Sequence, residues 1–295
     1  MWFLFLLCLP FFARADLELV PAHGGLSLDR YFLGRSNTLD YHSKPYYFFV
    51  FDPKLDAYVS GSMLGLGSWE GGLNALFEQI LTENALLRRL HVLDIGCNVG
   101  AFSLFVASKH VPVHCFEMQD EIVNLLQLSR RVNDYKHMHV YHAALWNKSG
   151  IDMHYTPLQG NFGGTSVVGQ KTGTKVIATV TLPELLRNDE FLFMKLDVEN
   201  AEGWVLAGMS PLIQGRKIHH FVMETRNNQA YIFDWFTQCG YACGAYDRVP
   251  MLRDRLLEHV QGVRDLTDMY CARASAPPPI SCEPLQIQQT SRHRS

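Results

Sequence analysis

The sequence predicts an α/β protein built on a doubly wound, mostly parallel sheet. From residue 91 onward, apolar runs of strand length alternate with helical patterns, which is typical of parallel strands connected by helices. The first such strand ends in a glycine-punctuated turn that leads into a helix, and open α/β sheets bind ligands at turns of this kind. The 295 residues, 47% of them hydrophobic, suffice for one large domain with additions or for two small ones.

The net charge and the N-terminal residues bear on whether the protein binds nucleic acid or spans a membrane. The formal net charge is −3 with both signs mixed, so we expect no nucleic-acid surface. Trp2–Phe12 is apolar and precedes Ala13-Arg14-Ala15, a small-x-small cleavage site, so residues 1–15 are predicted to be a signal peptide. The run is too short to cross a bilayer, which takes about 20 residues. We therefore expect no stable membrane span and a location in the secretory-pathway lumen or outside the cell; a retained short anchor is the alternative.

Residues 16–68 are predicted to form an N-terminal extension of a β-hairpin and a loop. Tyr46–Phe51 and Ala57–Ser60 have the composition of strands, and the residues between them have turn chemistry. A glycine-rich stretch after them predicts a loop. Leu73–Leu90 then has apolar residues at helical spacing, which predicts a helix.

Residues 69–250 are predicted to hold the sheet. The predicted strands are 92–96, 111–117, 137–145, 191–198, 218–225 and 241–246. Between the third and fourth strands, Ile151–Thr181 reads as a β-hairpin insert over the carboxyl edge of the sheet, with strands at Thr165–Val168 and Lys175–Thr181. We expect a helix and a strand in residues 251–272. Residues 273–295 are rich in Pro, Ser, Gln and Arg, which predicts a flexible tail.

Six cysteines remain after removal of the signal peptide. Cys97 and Cys115 lie in or beside core strands and are expected to be buried thiols. The four C-terminal cysteines are the better disulfide candidates, with pairing left open. No zinc site is expected, since Cys239-x-x-x-Cys243 has no matching His or Cys pair nearby. Asn147-Lys148-Ser149 is a glycosylation sequon in a predicted turn.

The strand-to-helix turn lies in His91–Phe102, which reads HVLDIGCNVGAF. Asp94, Gly96, Asn98 and Gly100 are its polar and flexible positions. The turn lacks the middle glycine of the dinucleotide fingerprint, and Asn tolerates the left-handed backbone that this position calls for. We expect Asp94 to lie near an amine and the backbone near a carboxylate, which suits the methionine end of S-adenosylmethionine. A sugar-binding or purely structural turn is the competing interpretation.

Glu117 ends the next predicted strand. A carboxylate there can accept hydrogen bonds from both hydroxyls of a ribose, so Glu117 fits both an NAD enzyme and an S-adenosylmethionine enzyme. The missing glycine fingerprint favours the methyl donor over NAD.

Acidic residues follow the fourth predicted strand. Lys195, Asp197 and Glu199 alternate along the chain and can share one face, with Glu202 in the turn that follows. Glu224 ends the fifth predicted strand at the same edge. Clustered charges of this kind bind a ligand or pair with each other, and a salt-bridge network that rigidifies the turn is the alternative. The acids can also ligate Mg²⁺ or Ca²⁺, but nothing in the sequence demands a metal.

These motifs together resemble the FkbM family of S-adenosylmethionine-dependent methyltransferases. The resemblance implies a Rossmann-like class I methyltransferase sheet of seven strands, S-adenosyl-L-methionine as methyl donor, and O-methylation, often of sugar or polyketide hydroxyls. The motifs that carry it are VLDIGCNVGAFSL (92–104), CFEMQ (115–119), HAALWN (142–147), NFGGTSV (161–167), FMKLDVENAEGWVLAGM (193–209) and FVMET (221–225).

The resemblance assigns roles to individual residues. The residues on the family's cofactor-binding positions are Asp94, Gly96, Asn98 and Gly100 in the turn, Glu117 as the ribose acid, and Ala144 and Leu145 beside the adenine. The residues on its acidic signature are Asp197, Glu199 and Glu202. The family usually has glycine where this chain has Asn200, and asparagine can adopt the same positive φ.

Methyl transfer to a hydroxyl needs in-line alignment and a group that accepts the proton. The candidate catalytic residues are Asp197 and Glu199, followed by Glu202 and Glu224. The acceptor is expected to be a hydroxylated small molecule or a glycan. A secreted, non-catalytic binding protein on the same scaffold is the second hypothesis, and an NAD-dependent oxidoreductase is the third.

Overall fold

The computed structural model describes residues 30–37, 45–186, 190–224, 229–246, 268–274 and 282–286. Its main sheet has seven strands, the number implied by the resemblance. In spatial order they are β11 (Tyr241–Ala245), β12 (Asp268–Arg273), β10 (Ile218–Glu224), β9 (Phe191–Leu196), β3 (His91–Ile95), β4 (Val113–Glu117) and β5 (Met138–His142). Five neighbouring strands, from β10 to β5, run parallel, and β12 is antiparallel to both of its neighbours. The doubly wound, mostly parallel sheet is thereby confirmed.

Helices cover both faces of this sheet. The described helices are α1 (Val59–Leu66), α2 (Gly71–Glu83), α3 (Ala101–Ser108), α4 (Asp120–Val132), α5 (Leu182–Leu185), α6 (Glu202–Gly208), α7 (Ser210–Gln214) and α8 (Gln229–Gln238). Apolar residues of α2, α3 and α4 pack on one face with Val92, whereas those of α6, α7 and α8 pack on the other with Leu93. Adjacent residues of β3 thus enter opposite layers, because side chains alternate along a strand.

The N-terminal extension differs from the prediction. The hairpin pairs β1 (Tyr31–Arg35) with β2 (Tyr47–Phe51) in antiparallel register, and the predicted strand at Ala57–Ser60 is wrong because these residues lead into α1. Asp56 Oδ2 accepts hydrogen bonds from the Ser60 backbone N–H at 3.0 Å and from its hydroxyl at 2.5 Å, which stabilises the first turn of a helix. The predicted glycine-rich loop is therefore partly helical. The predicted helix at Leu73–Leu90 ends at Glu83 and continues as a 3₁₀ turn, Ala85–Arg89.

The insert contributes two strands to a separate, three-stranded sheet. Its order is β6 (Ala144–Leu145), β8 (Lys175–Val180) and β7 (Asp152–Tyr155), and β7 and β8 form an antiparallel hairpin. A hairpin was predicted, but with Thr165–Val168 as its first strand. Those residues instead follow a 3₁₀ turn, Phe162–Gly164, where the Thr165 hydroxyl donates to the Phe162 carbonyl at 2.7 Å.

Two disulfides tie the C-terminal residues to the sheet. Cys243 pairs with Cys271 across β11 and β12, and Cys239 pairs with Cys282. Leu285 is buried, so residues 282–286 pack on the domain and are not part of a flexible tail as predicted. Cys97 and Cys115 are free and buried, as expected.

Some predictions fall outside the described residues. These are the signal peptide at 1–15, the helix expected in 251–267 and the remaining residues of the tail. Within the described ranges, no helix combines the length and apolar character needed to cross a bilayer.

Candidate functional site

A cavity of about 250 Å³ lies at the carboxyl edge of the central parallel strands. It brings together most of the site residues predicted from the sequence. Those that line it are Gly96, Asn98, Glu117, Ala144, Leu145, Asp197, Glu199 and Glu224. Asp94, Gly100 and Glu202 lie behind this lining.

The turn after β3 depends on three positive-φ residues: Gly96 at 78°, Asn98 at 50° and Gly100 at 85°. A Cβ at Gly96 would overlap the backbone carbonyl of Asp197, and one at Gly100 would overlap Leu126. Glycine is thus required at both positions by backbone conformation and by close packing. Asn98 adopts the left-handed backbone that the sequence predicted.

The backbone N–H groups of this turn bond within the protein. Cys97 N donates to the Phe116 carbonyl at 3.1 Å, Asn98 N to Glu117 Oε2 at 3.1 Å, and Val99 N to the Asn98 side chain at 2.8 Å. These three N–H groups are therefore engaged within the protein, and contact of the turn backbone with a ligand carboxylate stays a prediction.

Asp94 is fully buried. Its Oδ2 accepts a 2.5 Å hydrogen bond from the Ser103 hydroxyl, which ties β3 to α3. Burial raises the pKa of Asp94, and Lys195 opposes that rise. The side chain therefore supports the turn from behind instead of lining the cavity beside a ligand amine, as the sequence had suggested.

Glu117 faces the cavity from the end of β4. It accepts the Asn98 N–H on Oε2, and the Gln119 N–H on Oε1 at 2.9 Å. Burial raises its pKa to about 7, despite these N–H donors, which favour the ionised form. A carboxylate offers about four acceptor positions, so Glu117 keeps capacity for a further donor such as a ribose hydroxyl.

The neighbouring wall is largely apolar. Ala144 and Leu145 of β6 are buried and line the cavity, and Trp146 follows them. Trp146 stacks on Trp204 of α6 with ring centroids 5.3 Å apart and an interplanar angle of 14°. This wall suits the face of a flat aromatic ring such as adenine.

Three acids form the opposite side. Asp197, Glu199 and Glu224 each have one carboxylate oxygen within 4.8 Å of the others. Such oxygens are ligands of the kind that Mg²⁺ and Ca²⁺ take, and they are also proton acceptors. Lys195 Nζ lies 3.2 Å from Asp197 Oδ2 and offsets part of this charge.

Glu70 belongs to the site, although no sequence motif predicts it there. It lines the cavity, and its Oε2 lies 3.7 Å from Lys195 Nζ. Its φ of 55° is uncommon for a non-glycine residue. The pKa of Lys195 is raised: burial lowers it, but the carboxylates of Glu70, Asp197 and Asp94 raise it more.

Glu202 holds the turn that carries the acids. Its Oε1 accepts the backbone N–H groups of Val198 and Asn200, each at 3.2 Å, and burial raises its pKa to about 7. Glu199 and Asn200 adopt φ values of 51° and 75°, so asparagine does adopt the positive φ that we expected at residue 200. Glu202 supports this turn from behind the cavity lining.

The insert closes the cavity beside the turn. Asn161, Gly163 and Thr165 line it, and a Cβ at Gly163 would overlap the Asn98 side chain. Gln119 Nε2 donates to the Phe162 carbonyl at 2.8 Å. The segment 161–167 is thus attached to the residues around Glu117.

Residues 94–243 match the model of the methyltransferase FkbM domain. A comparison with curated proteins found no significant match.

Several solved structures are similar at low identity. The bifunctional kinase-methyltransferase WbdD is 16% identical over 69% of this chain and 38% of that chain, with a TM-score of 0.39. The T. thermophilus 16S rRNA N2 G1207 methyltransferase RsmC, in complex with AdoMet and guanosine, is 13% identical over 83% and 51%, with a TM-score of 0.45. The Pyrococcus abyssi tRNA (uracil-54, C5)-methyltransferase, in complex with S-adenosyl-L-homocysteine, is 11% identical over 81% and 43%, with a TM-score of 0.41. This chain spans about half of these proteins or less.

The family match covers just over half of the chain, from Asp94 to Cys243. It includes the turn after β3, Glu117, the insert and the acidic turn after β9. The protein therefore belongs to the FkbM family of methyltransferases.

Proposed function

We propose that this enzyme transfers a methyl group from S-adenosyl-L-methionine to a hydroxyl of a glycan or of another hydroxylated small molecule. The observation that carries the proposal is that one cavity holds a buried carboxylate, Glu117, and the acids Asp197, Glu199 and Glu224. The first suits a nucleoside, and the others suit an acceptor that must lose a proton.

The residues present fit the methyl donor. Glu117 would accept a hydrogen bond from the ribose, and Ala144 and Leu145 would flank the adenine. Gly96 has no side chain, so the backbone of the turn stays close to the cavity. S-adenosyl-L-methionine supplies an electrophilic methyl group when bound.

The acids of the cavity act on the acceptor. A hydroxyl that receives a methyl group loses its proton, and a carboxylate within hydrogen-bond reach can take it. Asp197, Glu199 and Glu224 are the candidates, because their oxygens converge in the cavity. Lys195 Nζ, 3.2 Å from Asp197 Oδ2, holds this carboxylate in place beside the acceptor. The cover formed by residues 161–167 helps to exclude water.

Aromatic and acidic side chains at the cavity support a polyhydroxylated acceptor. Tyr58 and Trp69 line the cavity together with the acids, and Tyr58 is 62% exposed. Aromatic surfaces and convergent polar groups are typical of small-molecule sites. We propose that the acceptor enters past Tyr58.

We also propose that the enzyme acts in the secretory pathway or outside the cell. The apolar N-terminal run and its cleavage site carry this proposal. The two disulfides support it, because disulfides persist in oxidising compartments and are rare in the cytosol.

Methyl transfer is tested with methyl-labelled S-adenosyl-L-methionine and a panel of neutral glycans and small polyols, with the matching amino sugars alongside. We expect label on a hydroxyl oxygen, located by mass spectrometry, and strongly reduced transfer by Asp197→Asn. Transfer of the label only to nitrogen would contradict O-methylation, and no transfer by a protein that binds the methyl donor would contradict the proposed acceptor class.

A further inference from the structure

The sequon Asn147-Lys148-Ser149 lies in the exposed connection between β6 and β7. Asn147 and Lys148 are exposed, and residues 147–150 form a continuous bend. Other asparagines are used by the fold: Asn133, for example, donates to the Tyr47 and Ser129 carbonyls. The side-chain amide of Asn147, in contrast, has no hydrogen-bond partner in the described part of the chain.

The neighbouring backbone holds this amide at the surface. A Cβ at Gly208 of α6 would overlap the Trp146 carbonyl, and it would come within 2.9 Å of the Asn147 Cα. The backbone of residues 146–147 is therefore packed closely on α6 while the Asn147 side chain stays exposed. An exposed asparagine on an ordered turn, followed by Lys and Ser, is an acceptor for N-glycosylation in a secreted protein.

We propose that Asn147 carries an N-linked oligosaccharide. The proposal rests on the secretory location, not on methyl transfer. The Asn147 Nδ2 forms a bond to the anomeric carbon of a lipid-diphosphate-linked oligosaccharide. The bond from that carbon to the diphosphate breaks, the lipid diphosphate leaves, and Nδ2 loses one proton.

The Ser149 hydroxyl belongs to the sequon and also forms hydrogen bonds within the folded protein. It accepts the Thr181 backbone N–H at 2.9 Å and donates to Glu184 Oε2 at 2.7 Å. Ser149→Ala would therefore disturb both the fold and the sequon. Asn147→Gln keeps an exposed amide but removes the asparagine that the sequon requires, whereas Ser149→Thr keeps both the hydroxyl and the sequon and is the matched control.

The test is expression of the full chain in cultured animal cells. Peptide N-glycosidase digestion in heavy-oxygen water is followed by peptide mass spectrometry. We expect Asn147 to be converted to labelled Asp in the wild type and in Ser149→Thr, and the glycosidase-sensitive gel shift to be absent in Asn147→Gln. Because Asn147 does not line the cavity, Asn147→Gln should bind S-adenosyl-L-methionine as the wild type does.

Two results would overturn the proposal. One is secreted protein whose Asn147 peptide is unmodified, and the other is protein that stays in the cytosol without a glycan. Neither result bears on methyl transfer, which is measured separately by binding of the methyl donor to the same preparation. If Asn147 is glycosylated but the protein does not bind S-adenosyl-L-methionine, the proposed function is contradicted and the glycosylation proposal stands.

Discussion

Gly96 and Asp197 are in direct backbone contact: a Cβ on residue 96 would overlap the Asp197 carbonyl oxygen. The Asp197 backbone N–H also donates to the Ile95 carbonyl at 3.0 Å. The turn after β3 and the acidic turn after β9 are therefore fixed to each other. A change in one displaces the other, so the proposed methyl-donor and acceptor sides of the cavity are positioned together.

This contact predicts that Gly96→Ala destabilises the protein by about 2–4 kcal/mol, because it combines overlap in a packed region with a positive φ. It should also abolish binding of S-adenosyl-L-methionine. Urea unfolding gives the stability and calorimetry the binding. Gly65→Ala is the control: nothing lies within 4 Å of a Cβ there, and alanine in a helix stabilises by about 1 kcal/mol. Equal effects of the two changes would contradict the contact.

The raised pKa of Glu117, about 7, predicts pH-dependent binding of the methyl donor. Ribose hydroxyls bond best to the ionised carboxylate, so affinity should be constant above pH 7 and fall about tenfold per unit below it. The stability of the free protein depends on pH in the opposite direction to the binding affinity. Since folding raises this pKa, the stability that Glu117 contributes is present below pH 4.5 and is lost as the pH rises through 7. Titrations from pH 6 to 8.5 test this, with Glu117→Gln expected to bind weakly at every pH.

Lys195 is predicted to stabilise the site by neutralising the carboxylates around it. Lys195→Met leaves Glu70, Asp197 and Asp94 without their shared cation, which should cost about 3 kcal/mol. The loss should shrink at low pH, where these acids become protonated. Lys175→Met is the matched control, because the ion pair of Lys175 with Asp120 is 45% and 50% exposed and is worth under about 1 kcal/mol. Comparable losses in urea unfolding would show that Lys195 is not the shared cation.

His114 predicts sensitivity to acid. It stacks between His91 and His139, with ring centroids 4.9 and 5.0 Å away. Burial and these two neighbours lower its pKa from 6.5 to about 3. Since folding lowers this pKa, its stabilisation is present above pH 6.5 and is lost as the pH falls towards 3, by about 1 kcal/mol per unit. His114→Phe should reduce that slope in unfolding experiments at pH 7.5, 6 and 5; an unchanged slope would assign it to other groups.

The sheet could be predicted from the sequence because its strands and turns are marked by residues that are close together in the chain. Val92, Leu93 and Ile95 form a run typical of a strand buried on both faces, and Gly96 and Gly100 mark the turn that follows. Strands that alternate with helices leave few topologies. Glu117, Asp197 and Glu224 end parallel strands, so their convergence at one edge was also predictable.

The features of the site that could not be predicted depend on contacts between residues that are distant in the sequence. Glu70 is not part of any motif, and its place beside Lys195 depends on its positive φ. Asp94 and Glu202 were expected at the ligand but bond to Ser103 and to turn amides instead, which a linear pattern does not show. At Ala57–Ser60, the hydrogen bonds between Asp56 and Ser60 stabilise the start of a helix and outweigh the strand propensity of these residues.

The most direct test of the central claim is a calorimetric titration of residues 16–295 with S-adenosyl-L-methionine. It compares the wild type with Glu117→Ala and with Glu83→Ala, an exposed acid on α2. We predict micromolar binding by the wild type and by Glu83→Ala, and none by a folded Glu117→Ala. Binding that persists without Glu117, or a well-folded wild type that does not bind, would contradict the account.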